Sequence, residues 1–458
     1  MGGSGVSIGA NWFAYLMLIL WPLVSIKLYM VKTIQQATLW TIILGIMILP
    51  SRLEIDFPGI PAIDKDFIIV FSVIVGCWVI KGEKIIIFFG GKAVQLCVLL
   101  MFLVPFITVE LNQDLIMLNN RVIPGLSHYD ALTYVVDQVM FVFPIFIGRK
   151  IFRTYENQVQ LFKFLVVAGL VYSFPILLEV RLSPKFNSLV YGYFPHSFIQ
   201  QKRQGGFRPI VFMGHGLWVA FFMVVVAISA SALRASAKNI SKLSSGYIGI
   251  YFLIILILCK SIASLVYGVF SVFIIKFLSP KIQVKISVLL VLLALTYPTM
   301  SIMKIFPHQM ISEFSESIDQ DRAQSLMFRF DNEKILLEHG LMRPYFGWGG
   351  WGRNRVYDNL TDEDITVTDG RWIITFGKFG WFGFISEFGL IAISVFGVNS
   401  VINKIESEKE VRLLAAHSLL IGVILIDQLP NATLAPWLWL LVGGLFGRVD
   451  DVFIKNKK

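Results

Sequence analysis

The chain is short of charge. Only 15% of its 458 residues are Asp, Glu, Lys or Arg, against about 25% in a typical soluble domain. That excludes a disordered or fibrous chain and argues against a soluble enzyme, whose cores could not hide so much apolar surface. Cysteine is nearly absent. Cys77, Cys97 and Cys259 are the only three, and all lie inside apolar runs. They read as small buried hydrophobes, not as a disulfide scaffold or thiolate ligands. The six histidines form no HxxxH pair and no Cys/His cluster, so neither a zinc site nor any other bound metal or cofactor is expected. There is no repeat of fixed period and no two-halves symmetry of the kind many transporters show. No cleavable signal peptide is evident, and the first apolar run reads as a retained span. Met1-Gly-Gly-Ser-Gly5 reads as an expression scar and is set aside.

What is present is apolar. Hydrophobic residues make up 56% of the chain and aromatics 14%, with 39 Phe, and mean hydropathy is +0.72. The natural solvent is a bilayer, where a spanning helix needs roughly 20 apolar residues. Apolar runs fall near 11–30, 34–50, 67–80, 94–109, 133–148, 159–178, 209–233, 246–260, 262–278, 285–303, 379–401, 411–428 and 432–447. They predict an all-α polytopic membrane protein of about 12–14 helices, because only helices satisfy the backbone in lipid without closing a barrel. Residues 1–303 form the first bundle, 304–378 one long loop, and 379–458 the last helices and a tail. A loop that long is usually functional. Its Glu313–His339 stretch has helical spacing and stops at Gly340.

The net charge of +10 needs a location. Short segments near 81–92, 149–157, 234–242, 276–285 and 402–412, and the tail with Lys455, Lys457 and Lys458, are mostly rich in Lys or Arg. The positive-inside rule makes them cytoplasmic. Segments near 51–66, 110–132, 179–208 and 304–378 then face outward, with the C-terminus inside and the N-terminus outside. Yet those outer segments are rich in arginine. The 179–208 segment holds Arg181, Lys185, Lys202, Arg203 and Arg208; the long loop holds Arg322, Arg329, Arg343, Arg353, Arg355 and Arg371. Acidic neighbours (Asp319, Asp321, Asp331, Glu333, Asp358, Asp362, Glu363, Asp364) offer ordinary ion pairs. Arg is also the residue suited to bidentate grip on phosphate. Arg208, Arg371 and Lys378 stand at span mouths, where a lipid diphosphate headgroup would lie.

Arg329-Phe-Asp-Asn-Glu333 followed by Arg343-Pro344-Tyr-Phe-Gly347-Trp-Gly349 resembles the signature of the O-antigen ligase/polymerase family. In that family an Arg-led helix precedes a Pro-x-x-Gly-x-Gly turn in a large periplasmic loop. A His-Asn pair usually follows, about eleven residues before a Gly-x-x-Gly pair that enters the next span. Here the glycines are Gly380 and Gly383, and the His-Asn position reads Asp369-Gly370. Gln204-Gly-Gly-Phe-Arg208, with Gly214 and His215 following, is similar to the family's Arg/Gly-rich lead into a middle helix. Lys260-Ser261-Ile-Ala-Ser264 is similar to its polar break between two central spans. The likeness covers roughly 200–390. It implies a metal-independent membrane glycosyltransferase with an architecture like other lipid-donor (GT-C type) enzymes. Such an enzyme moves a glycan from an undecaprenyl-diphosphate carrier at the periplasmic face of a bacterial inner membrane.

The implied chemistry needs a base, a cationic pocket for the departing diphosphate, and a sugar platform. Arg208, Arg329, Arg353 and Arg371 are candidates for the pocket, with Lys260 a further one, and Arg203, Arg343 and Arg355 are also candidates for binding substrate. Asp369 is the first candidate base, set against an N-cap role before the next helix. Glu333 and His339 are rivals. Glu333 stands four residues after Arg329, so a helix-surface ion pair competes with catalysis, and His339 suits a helix end. Trp348, Trp351, Trp372 and Tyr345, with Tyr357, suit either sugar stacking or an interfacial aromatic belt. Asp427 is an ionisable group near the end of a late span. The expected partners are a carrier-linked glycan donor and acceptor and membrane lipid, with a chain-length regulator protein as a further candidate and no nucleic acid. Repeat-unit polymerisation is the first reading and ligation to lipid A core the second. A flippase or transporter of lipid-linked sugars is the reading from another class, and a non-catalytic scaffold the third.

Overall fold

The structure, a computed structural model, describes residues 9–56, 61–203, 205–236, 245–318 and 320–456. Gln204, Asp319, Lys457 and Lys458, and the side chains of Asp321 and Arg322, lie outside them.

Helix accounts for 71% of the protein and strand for 3%, so the all-α class holds. Among the described residues seven helices are long and apolar enough to cross a bilayer: Trp12–Val31, Lys92–Glu110, His128–Ile151, Tyr155–Leu182, Gly216–Ala235, Pro280–Ile302 and Arg371–Lys404. Ile34–Ile48, Tyr247–Leu258 and Ile262–Phe277 are apolar but shorter. Among the described residues every predicted apolar run holds helix, including Glu408–Asp427 and Pro436–Lys455, but the 209–233 run is helical only from Gly216 and the 432–447 run only from Pro436, the residues before them being loop. Local chemistry starts these helices. Asn11, Asp64 and Thr154 accept backbone N–H groups as N-caps, Ser127 and Asp130 form a capping box, and Pro280 and Pro436 stand at first positions. Gly443 and Gly447, four apart, let the Pro436–Lys455 helix press onto the backbone of Ile145 and Arg149.

The two sets of loops collect at opposite ends of the bundle. At one end Arg149 pairs with Asp450 at 2.7 Å, Lys150 with Glu83 at 3.5 Å, and Arg448 with Glu410. These pairs draw together segments 81–92, 149–157 and 402–412, read as cytoplasmic, with the last helix; residues 237–242 of another such segment lie outside the described residues. At the other end gather 51–56, 110–127, 183–215, 341–370 and 428–435.

The segment read as a loop as far as 378 is largely structured. His308–Ile318 and Gln320–Gly340 are helices, and the next helix begins at Arg371, eight residues before the predicted 379 boundary. Hydropathy hid that start because Arg371 and Lys378 interrupt the apolar run. Arg371 is nonetheless held within the helix, donating Nε and Nη2 to Glu387 at 2.7 and 2.8 Å.

That helix breaks at Gly380, whose φ of 62° and ψ of −159° are not helical. The break leaves backbone groups that the Pro344–Gly349 turn satisfies. Trp348 and Gly349 donate N–H to the carbonyls of Gly377 and Lys378, both at 2.9 Å; Trp381 donates to Pro344 at 2.7 Å and Phe382 to Tyr345 at 3.2 Å. A Cβ at Gly380 would lie 2.3 Å from Tyr345 C. The two halves of the sequence motif therefore interlock through backbone, and only glycine permits the approach.

Candidate functional site

Arg329 is the centre of a polar ladder at the loop-bearing end of the bundle. Its Nη1 donates to the Pro430 carbonyl and to Asn431 Oδ1, both at 2.8 Å, and its Nε faces Asp369 Oδ2 at 3.5 Å. Asn431 Nδ2 in turn donates to Asp427 at 2.9 Å, and the Thr433 hydroxyl donates to the same carboxylate. Asp427 thus orients Asn431, and Asn431 orients Arg329. Asp369 does not cap the following helix. Gly370 takes that position without any side-chain hydrogen bond. Burial raises the Asp369 carboxyl above its ordinary range, and Arg329 partly offsets this.

Arg329, Glu333 and Asp369 all line one apolar groove of about 250 Å³, walled by Tyr267, Leu293, Tyr297, Phe306, Ile426 and Leu429. Glu333 makes no pair with Arg329 there. It accepts from Tyr297 Oη at 2.8 Å, Ser301 Oγ at 3.2 Å and Trp372 Nε1 at 3.3 Å. Burial pushes its carboxyl up to about 7, eased by these three donors. Its side chain turns inward against the Pro280–Ile302 helix, which sequence spacing could not reveal.

A second group of cations gathers around Arg208. Arg208 donates Nη2 to the Lys260 carbonyl at 3.2 Å, and Lys260 Nζ donates to the Arg203 carbonyl at 2.7 Å. The break between the two central spans and the 202–207 hairpin are thereby clamped together. Beside them His196 and His215 stack edge to face at 4.6 Å. His196 Nδ1 accepts the Ser197 N–H at 2.7 Å and His215 Nδ1 the Leu217 N–H at 3.0 Å. This assigns the proton of each neutral ring to Nε2, and no described group bonds either Nε2. His215 is held neutral, down to about 3, by burial first and then by His196, Arg208, Arg52 and Arg329. Arg52 has a φ of 59° and packs its side chain on Gly214. It has no hydrogen-bond or ion-pair partner among the described residues.

The remaining predicted residues divide. Arg343 donates to the Leu111 carbonyl, to Asn112 Oδ1 at 2.7 Å and to Asp114 at 3.0 Å, and lies over Trp348 at 4.3 Å. Arg353 is fully buried and donates to the carbonyls of Asp114 and Pro124 at 2.8 and 3.1 Å. Trp348 stacks on His339 at 4.4 Å and donates to its carbonyl. The two arginines bind the Gly-rich turn to the 111–124 loop, and Trp348 ties it to the end of the Gln320–Gly340 helix. Trp372 is buried against Glu333, and Tyr345 is exposed. Arg355, Arg371 and Trp351 instead line a separate chamber of about 930 Å³ on the other face of the Arg371–Val401 helix. Among the described residues, no group of three or more His, Cys, Asp or Glu side chains is placed to hold a metal.

Sequence reasoning missed Arg52 and His196 outright and quoted His215 without a role. Their signal was weak, because each is a lone polar residue in a different segment. No family model and no curated protein matches this chain.

Proposed function

We propose that this protein polymerises carrier-linked oligosaccharide repeat units at the periplasmic face of a bacterial inner membrane. One observation carries the reading. Arg329 lines the apolar groove that contains Asp369, and its charge, after those of Arg208 and Arg52, also acts on the buried His215 that stacks on His196. A prenyl chain suits the groove. A diphosphate suits two Nε2–H donors and three guanidiniums, which would stabilise charge as it develops on the leaving group.

In the step proposed, Asp369 takes the proton of an acceptor hydroxyl. The hydroxyl oxygen bonds to the anomeric carbon of the donor sugar, and the bond from that carbon to the diphosphate oxygen breaks. The electron pair leaves with the diphosphate. Asp369 is partly desolvated yet balanced by Arg329, a setting suited to a general base. Asp427 and Asn431 are positioning residues for Arg329.

Deleting the gene and resolving polysaccharide on a gel tests this. Loss of long chains while single repeats are still exported supports polymerisation. Unattached long chains on the carrier would instead indicate a ligase, and carrier-linked units on the cytoplasmic face a flippase. Reconstituted protein given carrier-linked repeat unit is expected to form a ladder with or without chelator.

A further inference from the structure

The chamber of about 930 Å³ is not used by the groove or the cationic group. It lies at the upper end of the volumes that hold small ligands. Its wall carries Glu54, Asp56, Asp64, Asp66, Asp137 and Asp364 against Arg121, Arg355, Arg371 and Lys378. Several of these charges are already spent. Arg355 pairs with Asp364, and Arg371 is bound bidentately by Glu387. Asp64 accepts the Phe67 N–H at 2.8 Å as a helix cap. Lys65, beside it, points away and donates to the carbonyls of Phe212 and Ile46 at 2.9 and 3.3 Å. Arg121 lies over the Tyr357 ring at 5.0 Å.

Glu54, Asp56, Asp66, Asp137 and Lys378 remain. None of these five has a hydrogen-bond or ion-pair partner among the described residues, and Asp66, Asp137 and Lys378 project from apolar helices. Ionisable groups left unpaired on membrane helices are costly and mark ligand paths. The amide oxygen of Gln138, on the same wall, is buried without a hydrogen-bond partner. At the rim, Trp351 is held at a φ of 57° with its indole 59% exposed. Tyr129 and Tyr357 stand nearby on the wall. Carboxylates that accept pairs of hydroxyl hydrogens, together with aromatic faces that cover C–H surface, form a carbohydrate-binding composition.

We propose that this chamber is a glycan site and that its surplus carboxylate selects neutral or amino-bearing sugars over uronic acids. The ligand class rests on the glycosyltransferase reading above; the charge selectivity rests on the chamber alone. An anionic sugar would meet Asp66 and Asp137 with Lys378 as its one uncommitted counter-charge on the spanning helices. An amino sugar would place its ammonium between the two carboxylates.

The test uses the full chain in lipid nanodiscs and three tetrasaccharide probes at physiological salt: the β-1,4-linked glucosamine tetramer, maltotetraose and the α-1,4-linked galacturonate tetramer, with binding read by native mass spectrometry. The glucosamine tetramer is expected to bind at least about tenfold more tightly than the galacturonate tetramer. In Asp66→Asn/Asp137→Asn that preference is expected to fall to within about threefold. Asp137→Asn alone, a near-isosteric change at an unpartnered side chain, gives a partial loss and serves if the double variant does not fold. Equal or tighter galacturonate binding overturns the proposal. So does a preference that survives both variants, or no binding of any probe. Loss of long chains on gene deletion without this selectivity would sink the chamber assignment and leave the polymerase reading. Selectivity with unchanged polysaccharide would do the reverse.

Discussion

Glu333 provides a test that needs no substrate. Its carboxyl is pushed up to about 7 from an ordinary 4.5 by burial. A carboxyl whose folded value exceeds its unfolded one makes the folded state hold the extra proton. Stability is then greatest below 4.5 and is lost as pH rises through 7. The separation makes ionised Glu333 cost about 3 kcal/mol well above neutrality and under about 1 kcal/mol near pH 5. Glu333→Gln removes that titration. The amide oxygen can still accept from Tyr297 and Ser301, but Trp372 Nε1 then faces an N–H₂, a pH-independent loss of about 1–2 kcal/mol. The variant should therefore be slightly less stable than wild type at about pH 5 and more stable at about pH 8, a relative change of about 2.5 kcal/mol. With an unfolding entropy of about 2 cal/mol/K per residue, this is a swing of about 2–3 °C in Tm difference. Differential scanning fluorimetry of both proteins in one detergent, across that range, measures it. A Tm difference that stays constant with pH would mean Glu333 ionises like a surface carboxylate, and the account of its burial fails.

Asp369→Asn keeps shape and contact with Arg329 but cannot accept a proton; polymer yield should drop by about 10²-fold or more, and full-length polymer on a gel would dismiss Asp369 as the base. Arg329→Lys retains charge yet cannot reach Pro430, Asn431 and Asp369 together; a loss of about 10²-fold in ladder formation is expected, with Tm nearly unchanged, and wild-type ladders would refute it. Gly380→Ala must place a Cβ 2.3 Å from Tyr345 C at a φ of 62°, a cost of about 3 kcal/mol or more, so folded protein should vanish from size-exclusion profiles. Gly389→Ala in the same helix, where the nearest atom is 3.5 Å away, is the tolerated control.

Hydropathy alone was enough to locate the long apolar helices. A bilayer demands continuous apolar stretches with internally bonded backbone, and that demand is local in sequence. Boundaries failed where charge was neutralised through space. The helix that opens at Arg371 read as loop because Glu387, sixteen residues on, was needed to explain the arginine. The proposed site was legible in part. Arg329 and Asp369 were both quoted from the motif, and the structure puts them 3.5 Å apart. Glu333 was quoted too, but its partners lie on the Pro280–Ile302 and Arg371–Val401 helices, not one turn back along its own.

The sequence by itself determined the solvent, the helical class and the sorting of loops into two sets, because each follows from composition or from charge counted along the chain. Only the tertiary structure decided what each arginine faces. Arg343 and Arg353 fasten the Gly-rich turn to the 111–124 loop, Arg355 and Arg371 line the chamber, and Arg329 faces Pro430, Asn431 and Asp369. A guanidinium's role depends on what faces it. Those facing groups come from segments hundreds of residues apart, brought together by packing that no local pattern records.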